Sequence, residues 1–285
     1  MRAGAASLHA RAHPRAIVAV WVWQGAIAAV AAWPAASLVR TALGSDPRGD
    51  APLWEPGGVA LLDLVWHNIG AFTAAVDGAL LVGIGATAAG WVALGALMSA
   101  IERPHDRAAL SHAVYGTLRV LPTFFRCAVV IAALQGATLA AGVFLAKLAE
   151  GWTAARLGEA PSLAIAIAVG LPFGLAALGL GVAHDVVRAV VVVRGAKAIE
   201  GLVEGFRLYR SSFATLSVAW AWRSVASLGP VAASAWLAGR LAGGAWAVAT
   251  IAAAHQATAL SRVALRASWL ARAMRDARQA AVRDR

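Results

Sequence analysis

Long apolar runs recur from one end of this chain to the other, and its basic residues fall mainly into alternate gaps between them. About 20 apolar residues, rising 1.5 Å each as a helix, cover the roughly 30 Å hydrocarbon core of a bilayer. Six runs meet that length, at about 17–39, 73–100, 124–148, 162–184, 212–238 and 244–262. The expected fold is therefore all-α: a polytopic membrane helical bundle of about six transmembrane helices with amphipathic helices on its inner face. Only 14% of the 285 residues are charged, which is low for a soluble domain of this size. A buried soluble helical protein is the alternative, but the twelve tryptophans argue against it. Trp54, Trp66, Trp152 and Trp246 fall near run boundaries, where an indole suits the membrane–water interface.

The charge pattern orients the chain. Arg2, Arg11 and Arg15 precede the first run, and Arg103, Arg107, Arg119 and Arg126 follow the second. Arg188, Arg194, Lys197, Arg207 and Arg210 follow the fourth, and seven arginines run from Arg262 to Arg285. Only Arg40, Arg48, Lys147, Arg156 and Arg240 occupy the opposite gaps. The positive-inside rule then places both termini in the cytoplasm of a bacterial cell, in a multi-pass inner-membrane protein. The chain reads as one integral membrane domain, 1–285, with a basic cytoplasmic N-terminus at 1–16 and a basic cytoplasmic helix at 265–285. The net charge of +11 is accounted for by arginines facing anionic headgroups, and no nucleic-acid partner is expected.

Local signals refine the picture. Pro122 and Pro161 are expected in the first turns of spans three and four, whereas Pro34 and Pro172 lie inside spans. Ala31-Ala-Trp-Pro-Ala-Ala-Ser37 also resembles the end of a secretory signal, although the length of the run and Arg40 favour its retention. The lone Cys127 makes no intrachain disulfide, and no cysteine spacing calls for zinc or an iron–sulfur cluster. No cofactor is expected.

Between spans, Leu110, Val114, Leu118 and Leu121 trace one helical face, as do Ile199, Leu202, Val203, Phe206 and Phe213. Both stretches read as inner-surface amphipathic helices, with Glu204 and Arg207 as an i,i+3 pair. Val114, Gly116 and Phe124 recur 89 residues later as Val203, Gly205 and Phe213, which hints at repeated hairpins.

From Ala96 through the third span, at His184-Asp-Val-Val-Arg188 and at Glu204-Gly-Phe-Arg207, the chain resembles six-span bacterial membrane proteins related to the membrane domain of glycerophosphodiester phosphodiesterases. In those enzymes a separate soluble domain performs hydrolysis. The resemblance thus implies a membrane module without that activity.

Several polar residues interrupt the spans. Arg223 sits mid-run beside Trp220 and Trp222 and requires a partner, for which Asp77 in the second run is a candidate. An anion contact and snorkelling are the other readings of Arg223. Gln24, Gln135 and Gln256 suit interhelical hydrogen bonds, and with His255 they are alternatively a polar transport path. His184, Asp185 and Arg188 lie within one turn and form an expected inner-end polar cluster. His105-Asp106 raises the same question at the other inner connection. Gly170-Leu-Pro-Phe-Gly174 supplies a small-residue spacing for close helix approach.

The function these residues favour is a non-enzymatic structural or interaction module that packs with a membrane-protein partner or another copy of itself, or organises lipid. A transporter-like component with a polar midmembrane site is the runner-up. An intramembrane enzyme comes third, since neither a zinc-binding H-E-x-x-H nor a G-x-S-x-G nucleophile elbow occurs.

Overall fold

The computed structural model describes residues 13–43, 59–102, 109–241 and 245–283, and among them there are helices and no strands. In chain order these are α1 (Pro14–Leu43), α2 (Val59–His67), α3 (Ile69–Glu102), α4 (Ala109–Leu157), α5 (Glu159–Arg194), α6 (Ala198–Ser211), α7 (Phe213–Ala226), α8 (Leu228–Arg240) and α9 (Ala245–Arg283). Asp50, His105-Asp106 and the arginines Arg2, Arg11, Arg103 and Arg107 lie outside the described residues.

Among the described residues, three helical segments are long and apolar enough to cross a membrane: Pro14–Pro34, Tyr115–Leu157 and Glu159–Arg194. The second expected span falls in α3, where two shorter apolar stretches, Phe72–Gly83 and Ala89–Glu102, stand apart. The fifth run is divided between α7 and α8 at Ser227, and the sixth continues without a break into the basic tail as α9.

The chain divides into two compact units: Ala19–Leu94, and Met1–Val18 together with Gly95–Arg285. In the smaller unit α1 and α3 run antiparallel. Trp23 Nε1 donates to the Ala89 carbonyl at 3.1 Å, and a Cβ on Gly78 would sit 3.9 Å from the Pro34 ring.

In the larger unit the long pair α4–α5 is also antiparallel, turning at Gly158 with φ +82°. A side chain rarely adopts that conformation, so glycine suits this turn. Phe173 fills the notch left by Gly142, where an added Cβ would stand 2.6 Å from its own Cβ. The Gly170–Gly174 spacing does less than expected. A Cβ on Gly170 would make only ordinary contact with Ala146 at 3.6 Å, and one on Gly174 would meet nothing within 4 Å.

The tight small-residue crossing lies instead at Gly201-Leu-Val-Glu-Gly205 on α6. Cβ atoms there would come within 2.6 Å of Val191 and 2.5 Å of Val187. α5 ends at Gly195 in a left-handed conformation whose N–H bonds the Val191 carbonyl, and α6 then folds back along it. With Gly201, Gly205 and Tyr209 buried against α5, the opposite side of α6 leaves Ile199 at 77% and Val203 at 53% exposure. Of the expected stripe, Ile199 and Val203 on α6 and Phe213 at the start of α7 face outward, while Leu202 and Phe206 are half-buried.

One expectation is corrected here. Pro122 does not begin a helix: α4 starts at Ala109 and passes through it. Pro122 is exposed, so the carbonyl its missing N–H leaves unpaired is at the surface. Pro161, by contrast, is the third residue of α5, as an early-turn proline should be. The basic tail buries one side of its helix. Trp269, Leu270, Met274 and Ala277 are buried, packed with the run Val186–Val191 of α5 into the core of this unit.

Beyond that core, α4 and α5 expose Val129, Leu134, Val143, Phe144, Ile167, Leu171 and Leu175. Apolar side chains facing outward along helices this long suit a hydrocarbon surrounding.

Candidate functional site

Where the outward-facing part of α5 gives way to the packed core stands Asp185, 2% exposed. Its carboxylate accepts three hydrogen bonds. Trp269 Nε1 donates to Oδ2 at 2.9 Å, Arg266 Nη2 to Oδ1 at 2.5 Å, and Arg188 Nη1 to Oδ1 at 3.4 Å. Asp185 and Arg188 are three residues apart on α5, and Arg266 and Trp269 three apart on α9, so each helix presents its pair on one face. Arg188 also extends toward α4, with its Cζ 6.0 Å from the Phe124 ring centroid. One carboxylate therefore links α9 to α5, and through Arg188 to α4.

This arrangement restrains chemistry as well as structure. A carboxylate whose two oxygens already accept three donors has little acceptor capacity left for a substrate. His184 Nε2 and Arg188 Nε are buried without a hydrogen-bond partner among the described residues. Among the same residues no group of three or more His, Cys, Asp or Glu side chains could hold a metal ion.

Of the expected cluster, Arg188 bonds Asp185 while His184 shows no bond to it, and two residues that do close on Asp185 were missed. Arg266 and Trp269 carry the same i,i+3 spacing as Asp185 and Arg188, a signal present in the sequence. Nothing local distinguishes Arg266 from the other tail arginines.

Arg223 belongs to a second polar arrangement. Its Nε donates to Ser268 Oγ at 3.2 Å and its Nη1 to the Ala219 carbonyl at 2.6 Å. Its Cζ stands 4.7 Å from the Trp222 ring centroid. Ser268 is two residues beyond Arg266, so Arg223 is level with the Asp185 clamp. Asp77, proposed as its partner, is exposed on α3 in the smaller unit. Arg272 Nε donates to Asp276 Oδ2 at 3.1 Å. Burial and the adjacent Arg272 guanidinium push Arg275 below the ordinary arginine value, while Asp276 pulls it back up.

Of the glutamines, Gln135 donates through Nε2 to the Ala177 carbonyl at 2.9 Å and so joins α4 to α5. Gln24 on α1 and His255 and Gln256 on α9 are exposed. Gln135 and Arg223 bond to different helices. Glu204 takes Arg194 as its partner at 2.7 Å, not the expected Arg207, because the fold-back of α6 brings the end of α5 beside it. Compared with known proteins, the chain matches no family model, no curated protein and no solved structure.

Proposed function

We propose that this chain is a non-enzymatic membrane module: six spans across a bacterial inner membrane, both termini cytoplasmic, holding a membrane partner, a second copy or lipid. The observation that carries this reading is the use of its polar groups. Asp185, Arg188, Arg266 and Trp269 close on one another, and Gln135 closes on a backbone carbonyl, so these groups hold helices together. A transport path would instead keep such groups open toward a shared space.

The two sides of α6 add support. Glycines press it to α5, and its outward stripe of Ile199 and Val203 suits the acyl boundary of an inner leaflet. The likeness to membrane domains of glycerophosphodiester phosphodiesterases fits the same proposal, with any hydrolytic chemistry belonging to another polypeptide or domain.

The test compares membrane abundance with rescue of a deletion strain for Gln135→Leu, His255→Leu and Gln256→Leu. For a structural module, rescue follows abundance in every variant. Normal abundance with lost rescue in any of the three would point to a polar transport path instead.

A further inference from the structure

The basic face of α9 has a composition that its structural role does not require. Ser268, Arg272 and Arg275 follow i, i+4, i+7 spacing and share a side of the helix away from buried Leu270, Met274 and Ala277. Arg223 arrives from α7, bonds Ser268 and lies within Coulombic reach of both Arg272 and Arg275. Three guanidinium groups thus lie near one another, and one of them, Arg272, donates to Asp276. Like charges so close repel, and an anion among them would relieve that repulsion.

The flanking surface says what kind of anion. Trp222, Val225, Leu228 and Val231 are exposed along α7 and α8, beginning beside Arg223 and leading away from the arginines. Trp222 also lies against the Arg223 guanidinium, an amphipathic ring at a polar–apolar border. A headgroup phosphate beside Ser268 with acyl chains along α7 and α8 would satisfy both surfaces. Free phosphate would satisfy only the first.

We infer that Arg223, Ser268, Arg272 and Arg275 form a binding site for the phosphate of an anionic phospholipid in the inner leaflet. The inference rests on the membrane reading above and gives one lipid a defined seat within it. Backbone and hydroxyl contacts to Arg223 orient the guanidinium before lipid arrives, so little side-chain freedom is lost on binding.

The experiment uses the full chain purified in a neutral detergent, with phosphatidylglycerol and phosphatidylcholine binding compared by native mass spectrometry. The wild-type protein is expected to prefer phosphatidylglycerol. Arg272→Gln with Arg275→Gln should bind it about 30-fold more weakly, from roughly a five-fold factor per arginine near an anionic headgroup. Arg275→Gln alone should lose about five-fold, which keeps the test available if the double variant does not fold. Arg272→Lys with Arg275→Lys should retain most of the preference.

Equal phosphatidylglycerol binding by wild type and a folded Gln variant would overturn the site. Full displacement of the lipid by millimolar inorganic phosphate would overturn the lipid assignment in favour of a free anion. Alkaline carbonate extraction separates the underlying reading: release of the chain from membranes removes that reading and this proposal together. Retention without lipid preference rejects the site alone.

Discussion

Trp269 Nε1 donates to Asp185 Oδ2 at 2.9 Å, joining residues 84 positions apart on α9 and α5. Arg266 reaches the other carboxylate oxygen from the same face of α9, so the end of the chain is locked to the middle of the unit. Removing the carboxylate would leave the buried Arg188 guanidinium without its counter-charge. Asp185→Asn should therefore cost about 3 kcal/mol, the scale for breaking a buried ion pair from one side. Arg266→Gln should cost about 1 kcal/mol, because that side chain is 41% exposed and solvent screens the pair. Thermal unfolding in detergent checks the order, and a wild-type melting curve for Asp185→Asn would remove the clamp from the account.

Gly205→Ala should be the most disruptive glycine substitution on α6. Its Cβ would stand 2.7 Å from the Val187 Cα, which is backbone and does not give way. Gly201→Ala meets the Val191 Cγ2 at 2.6 Å, a side-chain atom that can rotate. Overpacking of this kind costs about 1–3 kcal/mol, with Gly205→Ala toward the upper end. Gly174→Ala, with open space around it, should be neutral or stabilising by about 0.5 kcal/mol. If all three melt alike, α6 is not seated through its glycines.

Arg223 and Ser268 should be energetically coupled. A double-mutant cycle of Arg223→Gln and Ser268→Ala is expected to give about 1 kcal/mol, as for a hydrogen bond to a charged group that is partly exposed. Additive losses would mean that the 3.2 Å contact contributes nothing.

Topology is open to direct labelling. In a Cys127→Ser background, cysteines at Ala109 and Ala198 should react only with a reagent that reaches the cytoplasm, and one at Asp50 only from outside. Cys127 is buried and should be silent in the folded wild-type protein. The opposite pattern at the three engineered positions would reverse the proposed orientation.

Much of the fold was legible because it depends on local, one-dimensional patterns. Apolar length identified helices, Pro161 marked the start of α5, and the spacing of His184, Asp185 and Arg188 announced a polar cluster. The outward stripe of α6 followed from its period alone. Other features escaped because a local pattern can have several outcomes. The helix continues through Pro122 where solvent or headgroups can meet a free carbonyl, and the fifth run breaks at Ser227, with Pro230 taking an early-turn place in α8.

Which residue meets which across the fold is a different kind of question. Glu204 has Arg207 within its own helix, yet Arg194 reaches it because α6 doubles back along α5. Asp185 faced a tail with seven arginines and took Arg266, together with Trp269 from the same face of α9. These choices depend on helix register, and register depends on where one helix enters the notch of another: Phe173 at Gly142, and Val187 at Gly205. In a chain with 28 glycines the pattern alone does not mark those two notches. The residues therefore settled that helices form and which faces are apolar, while side-chain fit across helices settled the charge pairing, because that fit acts between segments far apart in sequence.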